Sequence, residues 1–137
     1  MPTYTVHLRG IKCLTAQEHD GDEIYITFNR QLVWSSGERK MYQRPAGVQF
    51  DEFDFGRGLV HDGEGWKPAP DFHADDYVFP AHEGATSFEV WDADRFFGDD
   101  YIGLVPVGAH DAGHGRIQAI CAGDGARYTL TYEVSLD

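Results

Sequence analysis

At 137 residues the chain has the length of one domain with a single core and no need of staples. Lys and Arg number 11 against 23 Asp and Glu, a formal net charge of −12, and such a surface repels phosphate backbones and bare anionic lipid. Nucleic-acid binding through a basic footprint is therefore excluded.

No apolar run approaches the roughly 20 residues of a membrane-spanning helix. The start "MPTYTVHLRG" lacks a basic stretch followed by an apolar one. The expectation is a soluble chain without a visible signal peptide, cytoplasmic or exported by a non-classical route. Cys13 and Cys121 each sit inside an apolar segment with no Cys or His at zinc-ligand spacing, so buried free thiols are expected.

Along the chain, alternation of apolar and polar residues dominates over any 3.6-residue period. In "YTVHLRGIKCLTA", Tyr4, Val6 and Leu8 share one face and Gly10 marks a bulge or bend. "EIYITFN" alternates Ile24, Ile26 and Phe28 against Tyr25 and Thr27. "QLVWSSGERKMYQ" reads as a strand pair or a strand interrupted by a Ser-Ser-Gly turn, and "AGVQFDEFDF" as a further short strand. Four more follow: "SFEVWDAD", "YIGLVPV", "GRIQAICA" and "ARYTLTYEVSL", the last with Tyr128, Leu130, Tyr132 and Val134 on one face. Seven to nine short strands at this spacing predict an all-β antiparallel sandwich, residues 1–137 forming one domain. Residues 56–85 are the exception, rich in Gly and Pro and without a period, and are expected to be an irregular insertion with "DYVFP" as a short strand within it. Its aromatics, Trp66, Phe72, Tyr77 and Phe79, either fasten it to the sandwich or line a groove. His61, His73, His82, His110 and His114 are expected as exposed loop residues rather than zinc ligands.

The strongest chemical signal is "EVWDADRFFGDDYIG", residues 89–103, where Asp92, Asp94, Asp99 and Asp100 crowd between two segments that want burial. Once the chain leaves the sheet after Trp91, Asp92 and Asp94 can turn toward a common point, with Gly98 permitting the return of Asp99 and Asp100. Carboxylates this close repel by about 1 to 4 kcal/mol per pair near a surface. A hard divalent cation removes that cost, and calcium accepts 6 to 8 oxygens in flexible geometry where magnesium demands a stricter octahedron. A second acidic stretch, "EHDGDE" at residues 18–23, offers Glu18, Asp20, Asp22 and Glu23 at what would be the same end of the sandwich.

The first of these stretches resembles the third calcium-binding loop of C2 domains: an aspartate pair spaced by one, then Arg-Phe, then Asp-x-Ile-Gly, matched by Asp92, Asp94, Arg95, Phe96, Asp100, Ile102 and Gly103. The first-loop text "DEIYI" is similar to a bacterial C2-like variant with an Asp-Glu-Pro-Tyr-Leu signature, with Ile24 in place of Pro. The resemblance implies a Greek-key β-sandwich of about eight strands with Ca2+ between loops at one end. Its metal ligands would be Asp92, Asp94, Asp99 and Asp100 with Asp20, Asp22 and Glu23, the first-loop ligand being either Asp22 or Glu23 and its companion Glu18 or Asp20. It also implies docking to a protein partner or a phospholipid membrane, with Phe96 and Phe97 at the loop tip. No nucleophile elbow or phosphate loop is present, so an enzyme is not expected. The alternatives are a structural or adhesive sandwich subunit stabilised by calcium, and a carbohydrate-binding module using the aromatic insertion.

Overall fold

The computed structural model describes residues 2–94 and 98–137, and the Arg95, Phe96 and Phe97 expectations lie outside the described residues. Eleven strands occur among the described residues: β1 (Tyr4–Thr15), β2 (Ile24–Phe28), β3 (Gln31–Ser35), β4 (Glu52–Asp54), β5 (Leu59–His61), β6 (Trp66–Pro68), β7 (Val78–His82), β8 (Thr86–Asp92), β9 (Asp100–Val107), β10 (Arg116–Gly123) and β11 (Ala126–Leu136). The helical segments described are two single 3-10 turns, Ala74–Tyr77 and Ala109–Asp111. No helix among the described residues is long and apolar enough to cross a membrane.

The strands form two antiparallel sheets. One runs β10-β11-β1-β4-β5-β6, with β7 also paired to β1; the other runs β3-β2-β8-β9. The chain passes between sheets at β1–β2, β3–β4, β7–β8 and β9–β10, which sets β8 beside β2 and β11 beside β1. The count exceeds eight because β4, β5 and β6 are three-residue strands, and because the stretch expected to be irregular carries β5, β6 and β7. Backbone groups there pair with β4 and β1 rather than with water, as buried peptide groups must.

Period two decides which residues are inside. On β1, Tyr4, Val6 and Leu8 point inward; the ladder with β11 then skips Arg9, and Ile11 and Cys13 take over the inward phase. The bulge thus falls beside Gly10, where the sequence marks it, and resets the strand so that both halves bury their apolar residues. On β11 the phase is unbroken from Ala126 through Tyr128, Leu130 and Tyr132 to Val134. On β2 and β8 the inward residues pair directly, Ile26 with Val90 and Phe28 with Phe88.

The sandwich closes tightly along β9 and β10. A side chain on Gly123 would place its Cβ 2.4 Å from the Ile102 carbonyl, and one on Gly103 would meet Cys121 at 3.0 Å, so glycine at both positions permits the approach. Cys13 and Cys121 are buried free thiols, as expected. The insertion is fastened by its rings: Tyr77 packs on Phe55 at 4.6 Å, Phe79 on Phe28 at 4.5 Å, and Phe72 covers Gly58. Trp66 stays exposed with the Arg57 guanidinium 5.1 Å above its ring. Two of the five histidines depart from the loop expectation. His61 lies in β5 and meets Asp51 at 2.7 Å, and His82 lies in β7 edge-on to Phe28. Strand pairing of the insertion draws both into the sheet.

Candidate metal centre

The alternation that buries Phe88 and Val90 on β8 carries on to Asp92, the last residue of the strand. The one that buries Ile24, Ile26 and Phe28 on β2 extends backward to Asp22. Both carboxylates are therefore delivered into the gap between the sheets at one pole and are fully buried. Asp92 reaches this position while still in the ladder, not after leaving it. Its backbone pairs with Ile24 on one side and Asp100 on the other. Just beyond, the Ala93 amide donates to the Glu23 carbonyl at 2.8 Å. The two acidic stretches thus meet at the same pole.

Asp22 is held from all sides. Its Oδ1 accepts the Glu18 amide at 2.9 Å, and its Oδ2 accepts the Gln17 amide at 2.8 Å and the Tyr128 hydroxyl at 2.6 Å. Its backbone exchanges two hydrogen bonds with Met41. Tyr128 reaches it from β11 in the opposite sheet, so Asp22 ties the first loop to both layers. A carboxylate has about four lone-pair sites. Three are used here.

Asp92 has the opposite surroundings. Both of its carboxylate oxygens are buried and neither has a hydrogen-bond partner among the described residues. Oxygens of Glu18, Asp22 and Asp92 all lie within 4.8 Å of one another. Burial first, then the negative charges of Asp22, Glu18 and Asp100, push the Asp92 carboxyl up to about 8. Glu18 is also pushed upward, by burial and then by Asp22, with Lys40 opposing and Asp20 and Asp94 adding smaller contributions. An ionised, unpartnered carboxylate inside a protein costs several kcal/mol, and it persists by taking up a proton or a cation.

The remaining acids of the two stretches are spread around this centre. Asp94 donates its amide to Asp99 Oδ1 at 3.1 Å and stands near enough to Glu18 to act on its charge. Asp100 lies across the ladder from Asp92. Asp99 is exposed and its Oδ2 accepts the Tyr25 hydroxyl at 2.6 Å. Asp20 is exposed and faces Lys40 at 3.1 Å, which holds its carboxyl below the usual range, while its carbonyl accepts Gln49. Glu23 contributes its backbone to the contact between the loops, and its carboxylate lies close enough to help raise Lys40. Glu18 rather than Asp20 therefore completes the inner cluster. No local signal in the sequence singles it out, because Glu18 and Asp20 are both acids of one short loop. The part of Tyr128 was hidden, because strand alternation accounts for a buried tyrosine without naming what its hydroxyl meets.

No family model matches this sequence, and no curated protein matches it. Among solved structures the chain is similar to a C2 domain at 15% identity and TM-score 0.42, covering 98% of this chain and 99% of the other. It is also similar to a C2 domain of plant extended synaptotagmin 1 at 12% identity and TM-score 0.48, covering 99% and 94%. A third likeness is to human GIVD cytosolic phospholipase A2 at 10% identity and TM-score 0.44, covering 98% of this chain and 16% of that one. At these identities and TM-scores the likenesses say nothing of what this chain binds.

Proposed function

We propose that this protein is a binding module, not an enzyme, that takes a calcium ion at the pole where Glu18, Asp22 and Asp92 converge. The observation that supports this reading is the Asp92 carboxylate, fully buried with both oxygens unpartnered and within 4.8 Å of two further carboxylates. The donor set fits a hard cation, since it is all oxygen and negatively charged. Glu18, Asp22 and Asp92 would hold the ion, with Asp94 and Asp100 adjacent. Calcium supplies the positive charge that cancels the repulsion; the chain supplies a preformed Asp22, already fixed by Tyr128 and two amides.

Neutralising the pole fixes the two loops relative to each other and prepares that end of the sandwich for a partner. With a net charge of −12 on the chain, a protein surface is favoured over a phospholipid one. Isothermal titration of chelator-stripped protein with calcium chloride tests the first step. Saturable heat is expected, with a melting temperature that rises with calcium because the ion binds only the folded form. A flat titration together with an unmoved melting curve at millimolar calcium defeats the proposal. Sedimentation with phosphatidylserine-containing vesicles, with calcium and with chelator, tests the second step. Calcium-dependent co-sedimentation would replace the protein partner with a membrane.

A further inference from the structure

The outer face of the β3-β2-β8-β9 sheet breaks the usual rule of apolar inside and polar outside. Three aromatic rings lie across it on neighbouring strands. Tyr25 and Trp91 are directly paired and nearly parallel, at 6.0 Å and 4°, and Tyr101 meets Trp91 edge-on at 5.0 Å. Tyr101 is 43% exposed and Leu104, next along β9, is 51% exposed. Together they border a shallow depression of about 680 Å³.

The polar groups of this depression converge as well. Glu89 lies on β8 two residues before Trp91, facing the same side, and its residue is only 7% exposed although it is on the outer face. The amide of Arg30 donates to its Oε1 at 3.1 Å and the Ser87 hydroxyl to its Oε2 at 3.3 Å. Among the described residues these two donors occupy two of the carboxylate's four acceptor sites. Thr27 is oriented by accepting the Trp91 indole N–H at 3.2 Å.

We propose that this face is a binding site for neutral carbohydrate, with Trp91 and Tyr101 stacking against the C–H face of a sugar ring and Glu89 accepting its hydroxyl hydrogens. The chemistry separates this ligand from others. An exposed Tyr101 ring and a half-buried Trp91 ring beside an oriented carboxylate and hydroxyls suit a molecule that is apolar on one side and rich in O–H donors around its edge. An anionic ligand meets Glu89 and a chain of net charge −12, with Arg30 the single cationic side chain among the described residues that line the depression. An apolar helix would leave Glu89 facing groups that do not donate to it. The site adjoins the acidic pole, since Trp91 precedes Asp92, Tyr101 follows Asp100 and the Tyr25 hydroxyl donates to Asp99, but its rings lie on the outer face of the sheet and use no ion. It also lies on the opposite sheet from Trp66, the insertion aromatic that the sequence offered for sugar binding.

Affinity electrophoresis through gels containing mixed-linkage β-glucan, xyloglucan, galactomannan or pullulan tests it, each run with calcium and with chelator. At least one neutral polymer is expected to retard the protein in both conditions. Trp91→Ala should weaken that retardation by about tenfold or more. Tyr101→Ala, at an exposed position where folding is not at stake, should weaken it several-fold, and Trp66→Ala should leave it unchanged. No retardation by any of the four polymers overturns the proposal. So does retardation that survives both Trp91→Ala and Tyr101→Ala, or that is lost in Trp66→Ala. Concentration-dependent self-association in sedimentation velocity that Leu104→Asp abolishes, without retardation by any polymer, makes the face a contact between copies and overturns it equally.

Discussion

Replacing Asp92 by Asn keeps the shape of the side chain and removes its charge. In the ion-free protein the Asp92 carboxyl is held up at about 8 by burial and by its acidic neighbours, against an ordinary carboxylate value of 3.8. Below pH 4 the group is protonated whether the chain is folded or not, and it costs nothing. Between pH 4 and 8 the unfolded chain releases that proton while the folded chain retains it, so stability falls as pH rises. From 3.8 to pH 7 is about three pH units at 1.36 kcal/mol each, or about 4 kcal/mol as an upper bound. Asn has no proton to lose and can donate its amide to Asp22 or Glu18. In chelator, the variant should therefore be close to wild type at pH 4 and more stable at pH 7, by about 2 to 4 kcal/mol. The melting temperature would differ by several degrees in a domain of this size. Added calcium should reverse the order at pH 7, stabilising the wild type and leaving Asp92→Asn unmoved. Urea unfolding followed by tryptophan fluorescence at the two pH values reads both effects. If the variant is destabilised equally at pH 4 and pH 7 in chelator, the carboxylate is not the burdened group and the reasoning fails. If calcium stabilises the variant as much as the wild type, Asp92 is not a ligand.

Two further outcomes concern Tyr128 and the two thiols. Tyr128→Phe removes a hydroxyl that donates to Asp22 at 2.6 Å and also meets the Cys13 thiol, and a bond to a charged acceptor is worth about 1.5 to 3 kcal/mol. Denaturant unfolding should show that loss, with calcium binding weakened rather than abolished because the Gln17 and Glu18 amides still hold Asp22. An undiminished stability would mean that the hydroxyl is as well satisfied elsewhere. Burial pushes the Cys13 thiol up to about 12 and the Cys121 thiol up to about 11. Neither should react with Ellman's reagent in the native protein at pH 8, and both should react on unfolding. Rapid labelling of either thiol in the native state would contradict their placement between the sheets.

Much of this molecule follows from the chain read alone. Period-two alternation in "IYITF", "SFEVW" and "RYTLTYEV" determines which residues face the core, because a strand has no other way to present one face to oil and one to water. It marks the bulge at Gly10 and the acidic character of residues 18–23 and 92–100. Alternation even determines that Asp92 shares a side with Phe88 and Val90, although the short strand "VWDAD" reads more readily as a chain already leaving its sheet. What the tertiary structure decided is which acids meet. Asp20 and Glu18 are two residues apart in a loop, and no local rule ranks them. Lys40, brought from beyond β3, draws Asp20 outward, and the fold of the first loop around Asp22 leaves Glu18 within the cluster. Tyr25 likewise takes Asp99, a pairing across 74 residues. The aromatic face has the same origin. Tyr25, Trp91 and Tyr101 are ordinary outward residues on three strands until antiparallel register sets them side by side. Strand phase is a local property of the backbone, whereas partnership between side chains depends on register and crossing. Those are set only when the two sheets close on a common core.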